Sequence, residues 1–85
     1  MKQIEIESRL KKILIERFNL DKNNFQHNKA FEGDLGMDSL DMVSLLLEIE
    51  AEFDVSIATS QAIYLKTIGE VLSYLNDYKI KLKEN

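Results

Sequence analysis

Eighty-five residues with a net charge of −4 and no cysteine allow one thin domain, residues 1–85, and exclude a disulfide framework or a thiolate metal site. No apolar run approaches the roughly 20 residues of a transmembrane helix, and Met1-Lys2-Gln3-Ile4-Glu5 lacks the apolar core of a secretory signal, so a cytoplasmic protein is expected. Proline is absent and glycine occurs 3 times, which favours helices over a turn-rich sheet.

In chain order, Ile6, Leu10, Ile13, Leu14 and Phe18 keep the spacing of one buried stripe and predict a helix over residues 3–18. Asn19-Leu20-Asp21 ends it with turn-prone residues. Residues 19–37 then read as a long loop, in which Phe25, Phe31 and Leu35 act as apolar plugs and Gly33 and Gly36 supply backbone freedom. Asp21, Asn23 and Glu32 are spaced like part of a calcium loop. Phe25 and Gln26 stand where an oxygen ligand and a glycine are needed, so no metal site is expected. His27 reads as a surface loop residue.

A second helix is predicted over residues 39–53, with Asp38 as its cap. Leu40, Val43, Leu46, Leu47, Ile49 and Phe53, with Met42 and Leu45, cover well over half its circumference, so it should be central and touched on several sides. Asp41, Ser44, Glu48 and Glu52 form its polar strip. A brief third helix is expected from Gln61 to Leu65, capped by Thr59 or Ser60, with Ile63 and Leu65 inward. Thr67-Ile68-Gly69-Glu70 has the form of a capping box and opens a fourth helix over residues 68–78. Its stripe is Ile68, Val71, Leu72, Leu75 and Tyr78. Tyr64, Tyr74 and Tyr78 read as core-edge residues, and residues 79–85 as a frayed tail. The fold class is all-α: a small antiparallel four-helix bundle of three longer helices and one short one, with a long first loop.

Charge is distributed unevenly. Residues 31–57 hold eight acids and no base, whereas residues 1–30 hold seven bases against four acids. So acidic a segment repels nucleic acid and anionic lipid and attracts basic surfaces. Ser39 lies within it, in the first turn of the second helix, where free amides and the helix dipole favour an anion. Nothing nearby activates this hydroxyl: a triad needs a base and an orienting acid, and the single histidine lies in the first loop. The pattern suits a modification acceptor better than a catalyst, so no catalytic residue is assigned.

Gly36-Met37-Asp38-Ser39-Leu40-Asp41, followed by Glu50-Ala51-Glu52-Phe53-Asp54, resembles the acyl carrier protein family. The likeness covers nearly the whole chain, including the Phe31-to-Leu35 approach and the gap from Ile57 to Thr67-Ile68. It implies 4'-phosphopantetheine on Ser39, transferred from coenzyme A by a phosphopantetheinyl transferase. It also implies acyl groups held as thioesters on the arm's thiol and delivered to acyl-processing enzymes with basic patches. Many members carry acids where this chain has Ser44 and Ala51. The region Thr59 to Lys66 is also poor in acids, and Ala58 replaces a frequent proline.

On this reading the chain is a free-standing monomeric carrier for fatty-acid or related lipid biosynthesis. Recognition is expected from Asp38, Asp41, Glu48, Glu50 and Glu52 by electrostatic steering, with Val43 and Leu47 as apolar partner-facing spots. An inducible acyl pocket is expected from Leu47, Phe53, Ile57, Ile63 and Ile68. Two other readings stay open: a carrier of amino acids or polyketide units, and an unmodified acidic interaction module.

Overall fold

A computed structural model describes residues 2–84, with side-chain surroundings given through residue 78. The apolar stripe of helix α1, Gln3–Phe18, turns inward as expected, with Ile6, Leu10, Ile13 and Leu14 buried. Asn19 ends the helix in the left-handed region at φ 59°, and Leu20 N–H donates back to Leu14 O at 3.1 Å. Helix α2 spans Ser39–Phe53 and ends similarly, with Asp54 at φ 53° and Val55 N–H bonded to Glu50 O at 3.2 Å. Both helices occupy the predicted ranges, because their start and stop signals are local. Helix α1 packs against both α2 and helix α4, Ile68–Glu84.

The later elements differ from expectation. Helix α3 is Thr59–Ala62, shorter and earlier than residues 61–65. Gln61 and Ala62 N–H both donate to Ala58 O, at 2.9 and 3.0 Å, so Ala58 is the cap and neither Thr59 nor Ser60 is. The shifted start changes the phase: Leu65 is buried but Ile63 is 58% exposed and Tyr64 66%. Helix α4 runs past residue 78 to Glu84. The fraying expected of residues 79–85 falls on side chains outside the described residues. Its opening is as predicted: Glu70 N–H donates to Thr67 Oγ1 at 3.1 Å, and Glu70 Oε1 accepts from Thr67 N–H at 2.9 Å.

The first loop is tied down more tightly than apolar plugs alone would do. It contains one 3₁₀ turn, Lys22–Asn24, where Asp21 accepts from Asn23 N–H at 2.9 Å. Ala30 and Thr67 form an isolated antiparallel bridge. Phe31 N–H donates to Lys66 O at 3.0 Å, Ile68 N–H to Lys29 O at 3.1 Å, and Gly69 N–H to His27 O at 2.9 Å. Phe31 and Met37 are buried, whereas Phe25 and Leu35 pack against the core half-buried. His27 Nε2 also lies 2.9 Å from Glu7 Oε1, joining the loop to α1.

The core is wholly apolar among the described residues, with no buried polar or charged residue and no buried side-chain N or O lacking a partner. The radius of gyration, 12.2 Å, matches the ~12 Å of one folded unit of this length. Tyr74 Oη donates to Ser56 O at 3.2 Å, fastening α4 to the link after α2. Burial, then Tyr78 and Glu50, push the Tyr74 hydroxyl above its ordinary 10.0.

Two outcomes are expected. Helix propensity alone would make Gly69→Ala stabilising by up to ~1 kcal/mol. A Cβ there would stand 2.9 Å from His27 O, a backbone atom. Overpacking of that kind costs about 1–3 kcal/mol, so urea unfolding should show Gly69→Ala less stable than the parent. The second concerns alkaline pH. Because the folded Tyr74 keeps its proton longer than the unfolded chain does, its contribution is full below about pH 10 and is lost as pH rises through the folded value. A phenolate absorbance titration should show one tyrosine ionising late, and Tyr74→Phe should remove that step.

Candidate functional site

Ser39 is the first residue of α2 and is exposed. Three local devices hold it. Gly36, at φ 69°, takes a left-handed turn that only glycine adopts freely, and the chain then enters the helix. The stretch before it closes on itself: Ala30 N–H donates to Asp34 Oδ2 at 2.8 Å, and Met37 N–H to Phe31 O at 3.0 Å. Asp38 and Asp41 then form a reciprocal capping box, with Asp41 N–H on Asp38 Oδ1 at 2.8 Å and Asp38 N–H on Asp41 Oδ2 at 3.1 Å. Asp38 was expected as the cap; the returning bond from Asp41 was not, since the residue there is usually longer.

The first in-helix bond of α2 is Met42 N–H to Asp38 O, 3.0 Å. The amides of Ser39 and Leu40 therefore precede the helical ladder, at the positive end of the dipole. Two carboxylates flank the hydroxyl, yet both are engaged as caps, and His27 pairs with Glu7 of α1. No base is set up to deprotonate Ser39. Among the described residues no three His, Cys, Asp or Glu side chains converge as a metal site requires.

The acids expected to face a partner are placed differently from one another. Glu48 Oε1 lies 3.9 Å from Arg17 Nη1, and Glu52 Oε2 lies 3.4 Å from Arg9 Nη1, both on α1. Glu50 Oε2 accepts from Ile57 N–H at 2.8 Å and so staples the link after α2. Val43 and Leu47 are 57% and 61% exposed, and Leu40, read from sequence as part of the inward arc, is 78% exposed. The helix is therefore not wrapped on all sides. Leu45, Ile49 and Phe53 bury one face, while Leu40, Val43 and Leu47 leave the opposite face bare. Stepping 100° per residue separates these two triads, a signal that counting apolar residues misses.

A cavity of about 460 Å³ opens between the first loop, α2 and α3, walled by Phe31, Met42, Leu46, Ala62, Ile63 and Leu65 with Glu32 and Lys66 also lining it. Of the residues expected to form an acyl pocket, Ile63 lines this cavity. Phe53 and Ile68 are in the closed core, Ile57 packs half-buried against it, and Leu47 is outside on the bare face. Met42, Leu46 and Leu65 were missed as wall residues because the wall is built by the first loop, α2 and the α3 region together, and their relative placement is tertiary.

A family model described as the phosphopantetheine attachment site matches residues 8–75. The chain is also similar to the acyl carrier protein of Lactobacillus acidophilus, 33% identical over 79 residues, which is 93% of this chain and 99% of that protein. The matched span takes in Ser39, both flanking aspartates and most of the helical frame, so the chain belongs to the phosphopantetheine attachment family, as a carrier and not an enzyme, with 4'-phosphopantetheine as its prosthetic group.

Proposed function

We propose that Ser39 is the attachment point of the arm and that the chain is an acyl carrier for fatty-acid or related lipid synthesis, acting in the cytoplasm as a monomer. The observation that carries the reading is the exposed Ser39 hydroxyl in the first turn of a capped helix, inside the matched span. A phosphodiester on Ser39 Oγ suits that place: the leading amides of α2 and the helix dipole favour its charge. When bound, the group supplies the terminal thiol on which acyl thioesters form, which a chain without cysteine cannot supply itself.

What the protein contributes is placement. The caps at Asp38 and Asp41 fix the backbone of the first turn, so Ser39 is held at the exposed start of α2 for the enzyme that modifies it. Phosphoryl transfer there forms a bond from Ser39 Oγ to phosphorus and breaks the diphosphate of coenzyme A; the hydroxyl proton leaves and the nucleotide half departs. The base for this step comes from the transferase, since Asp38, Asp41 and His27 are all engaged elsewhere.

The apolar cavity supports an acyl cargo over an amino-acid one. Met42, Leu46, Ile63 and Leu65 form its aliphatic wall. Behind them Phe53, Ile57 and Ile68 would part to admit a longer chain. Aliphatic cores of this kind accept repacking at a cost of about 1.5 kcal/mol or less when volume is conserved.

Two measurements test this. Incubation with coenzyme A and a phosphopantetheinyl transferase should add the mass of one phosphopantetheine unit, and Ser39→Ala should remove that gain while leaving the melting curve within ~0.5 kcal/mol of the parent. After loading with a saturated acyl chain, methyl NMR shifts should move at Met42, Leu46, Ile63 and Leu65, and with increasing chain length at Ile57 and Ile68. Shifts confined to α1 would place the cargo elsewhere.

A further inference from the structure

We propose that Glu32 and Lys66, the two charged side chains lining the cavity beside α2, together hold the amide nearest the thiol end of the Ser39 arm when the cargo is drawn into the protein. The proposal rests on the carrier reading and deepens it by naming the residues that receive the arm itself.

The cavity lies in line with the attachment point. Ser39, Met42 and Leu46 fall at i, i+3 and i+7 and share one face of α2, and the last two line the cavity. At 1.5 Å per residue, Leu46 stands about 10 Å along the helix from Ser39. A group leaving Ser39 on that face meets the cavity without crossing to another side of the bundle.

The wall is apolar apart from two charges. Phe31, Met42, Leu46, Ile63 and Leu65 supply hydrocarbon, while Glu32 and Lys66 are both exposed and so stand at the opening. The backbone that carries them is fixed: Phe31 N–H donates to Lys66 O at 3.0 Å, and Lys66 N–H donates to Glu70 Oε1 at 3.2 Å. Their side chains are uncommitted. Among the described residues, neither the Glu32 carboxylate nor the Lys66 ammonium takes part in a hydrogen bond or an ion pair. The acids of α2 differ in this respect, since Asp41, Glu48, Glu50 and Glu52 all have partners.

The chemistry of the pair matches an amide. Each amide of the arm loses its water on entering an apolar cavity, and an unmet N–H or C=O there is costly. An ammonium only donates and a carboxylate only accepts. Lys66 therefore meets the carbonyl oxygen and Glu32 the N–H, and neither charge alone satisfies both halves of the group. The hydrocarbon beyond lies along Met42, Leu46 and Leu65, and the thioester is drawn past the mouth, away from water.

The test is the rate at which neutral hydroxylamine cleaves the thioester of the octanoyl-loaded full chain, followed by intact mass. Lys66→Met, Lys66→Arg, Glu32→Met and Glu32→Gln are compared with the parent and with octanoyl-pantetheine free in solution. The parent should be cleaved more slowly than the free thioester. Lys66→Met and Glu32→Met should be cleaved about three- to tenfold faster than the parent, the loss expected for one hydrogen bond at an exposed mouth. Lys66→Arg and Glu32→Gln should keep most of the protection, because they still donate and accept. Circular dichroism melts of all four should coincide with the parent. A parent cleaved as fast as the free thioester, or methionine variants protected as well as the parent, would overturn the proposal and leave the carrier reading intact. Failure of the parent to take up the arm would overturn both. Faster cleavage of the methionine variants confined to a β-hydroxyacyl cargo would assign the two charges to the cargo and also overturn it.

Discussion

The backbone stitch between the first loop and the start of α4 is the constraint on which the site depends. Phe31 N–H to Lys66 O, Ile68 N–H to Lys29 O and Gly69 N–H to His27 O fix the loop in the middle of its length. Ordering each loop residue costs about 1–2 kcal/mol of backbone entropy. No single plug offsets that: burying Phe31 returns only ~1.5–3 kcal/mol. The loop is ordered because plugs and stitch act together, and each unpaired amide near the core would otherwise cost about 1–3 kcal/mol. From the stitched point the chain has eight residues to reach Ser39, and it is held on the way by the Asp34 turn, the left-handed Gly36 and the buried Met37. The serine's position is thus set by α4, far away in sequence.

That distance explains what was legible in the residues and what was not. The limits of α1 and α2 followed from their neighbours: Asn19 and Asp54 adopt left-handed caps readily, and Asp38 caps readily too. The box at Thr67 and Glu70 is equally local. Helix α3 has no side-chain cap of its own, so its start is set by how Ala58 leaves the preceding link, and that link is held by Glu50 and Tyr74 from two other helices. The Ala30–Thr67 bridge has no local signature at all. Ser39 could be read because its setting is a first turn; the cavity could not, because its walls come from a loop and two helices whose relative placement is tertiary.

The acidity of residues 31–57 means something narrower in three dimensions than it does along the chain. Asp34 serves Ala30 N–H, Asp38 and Asp41 cap each other's backbone, Glu50 holds Ile57, and Glu48 and Glu52 lie against arginines of α1. Most of these carboxylates satisfy backbone amides that helix ends and tight turns leave open. The two ion pairs are solvent-exposed and contribute little to stability, but they draw charge to the α1 side of α2. On the outer side Leu40, Val43 and Leu47 are exposed. A charge count along the sequence cannot separate acids that present themselves to a partner from acids that finish the fold.

The same division governs how the interior can serve a cargo. With no polar side chain buried among the described residues, parting the core side chains strands no buried charge. The cost is lost apolar contact, and an alkyl chain entering beside Met42, Leu46 and Leu65, as proposed, would restore contact of the same kind. The polar ties, Glu50 to Ile57 and Tyr74 to Ser56, lie at the rim of the bundle, where they can hold the α2–α3 link while the side chains beneath it rearrange. A polar network through the core would have made the fold more specific and the interior closed; confining polar bonds to the edges leaves an interior that can exchange its own contacts for those of a guest.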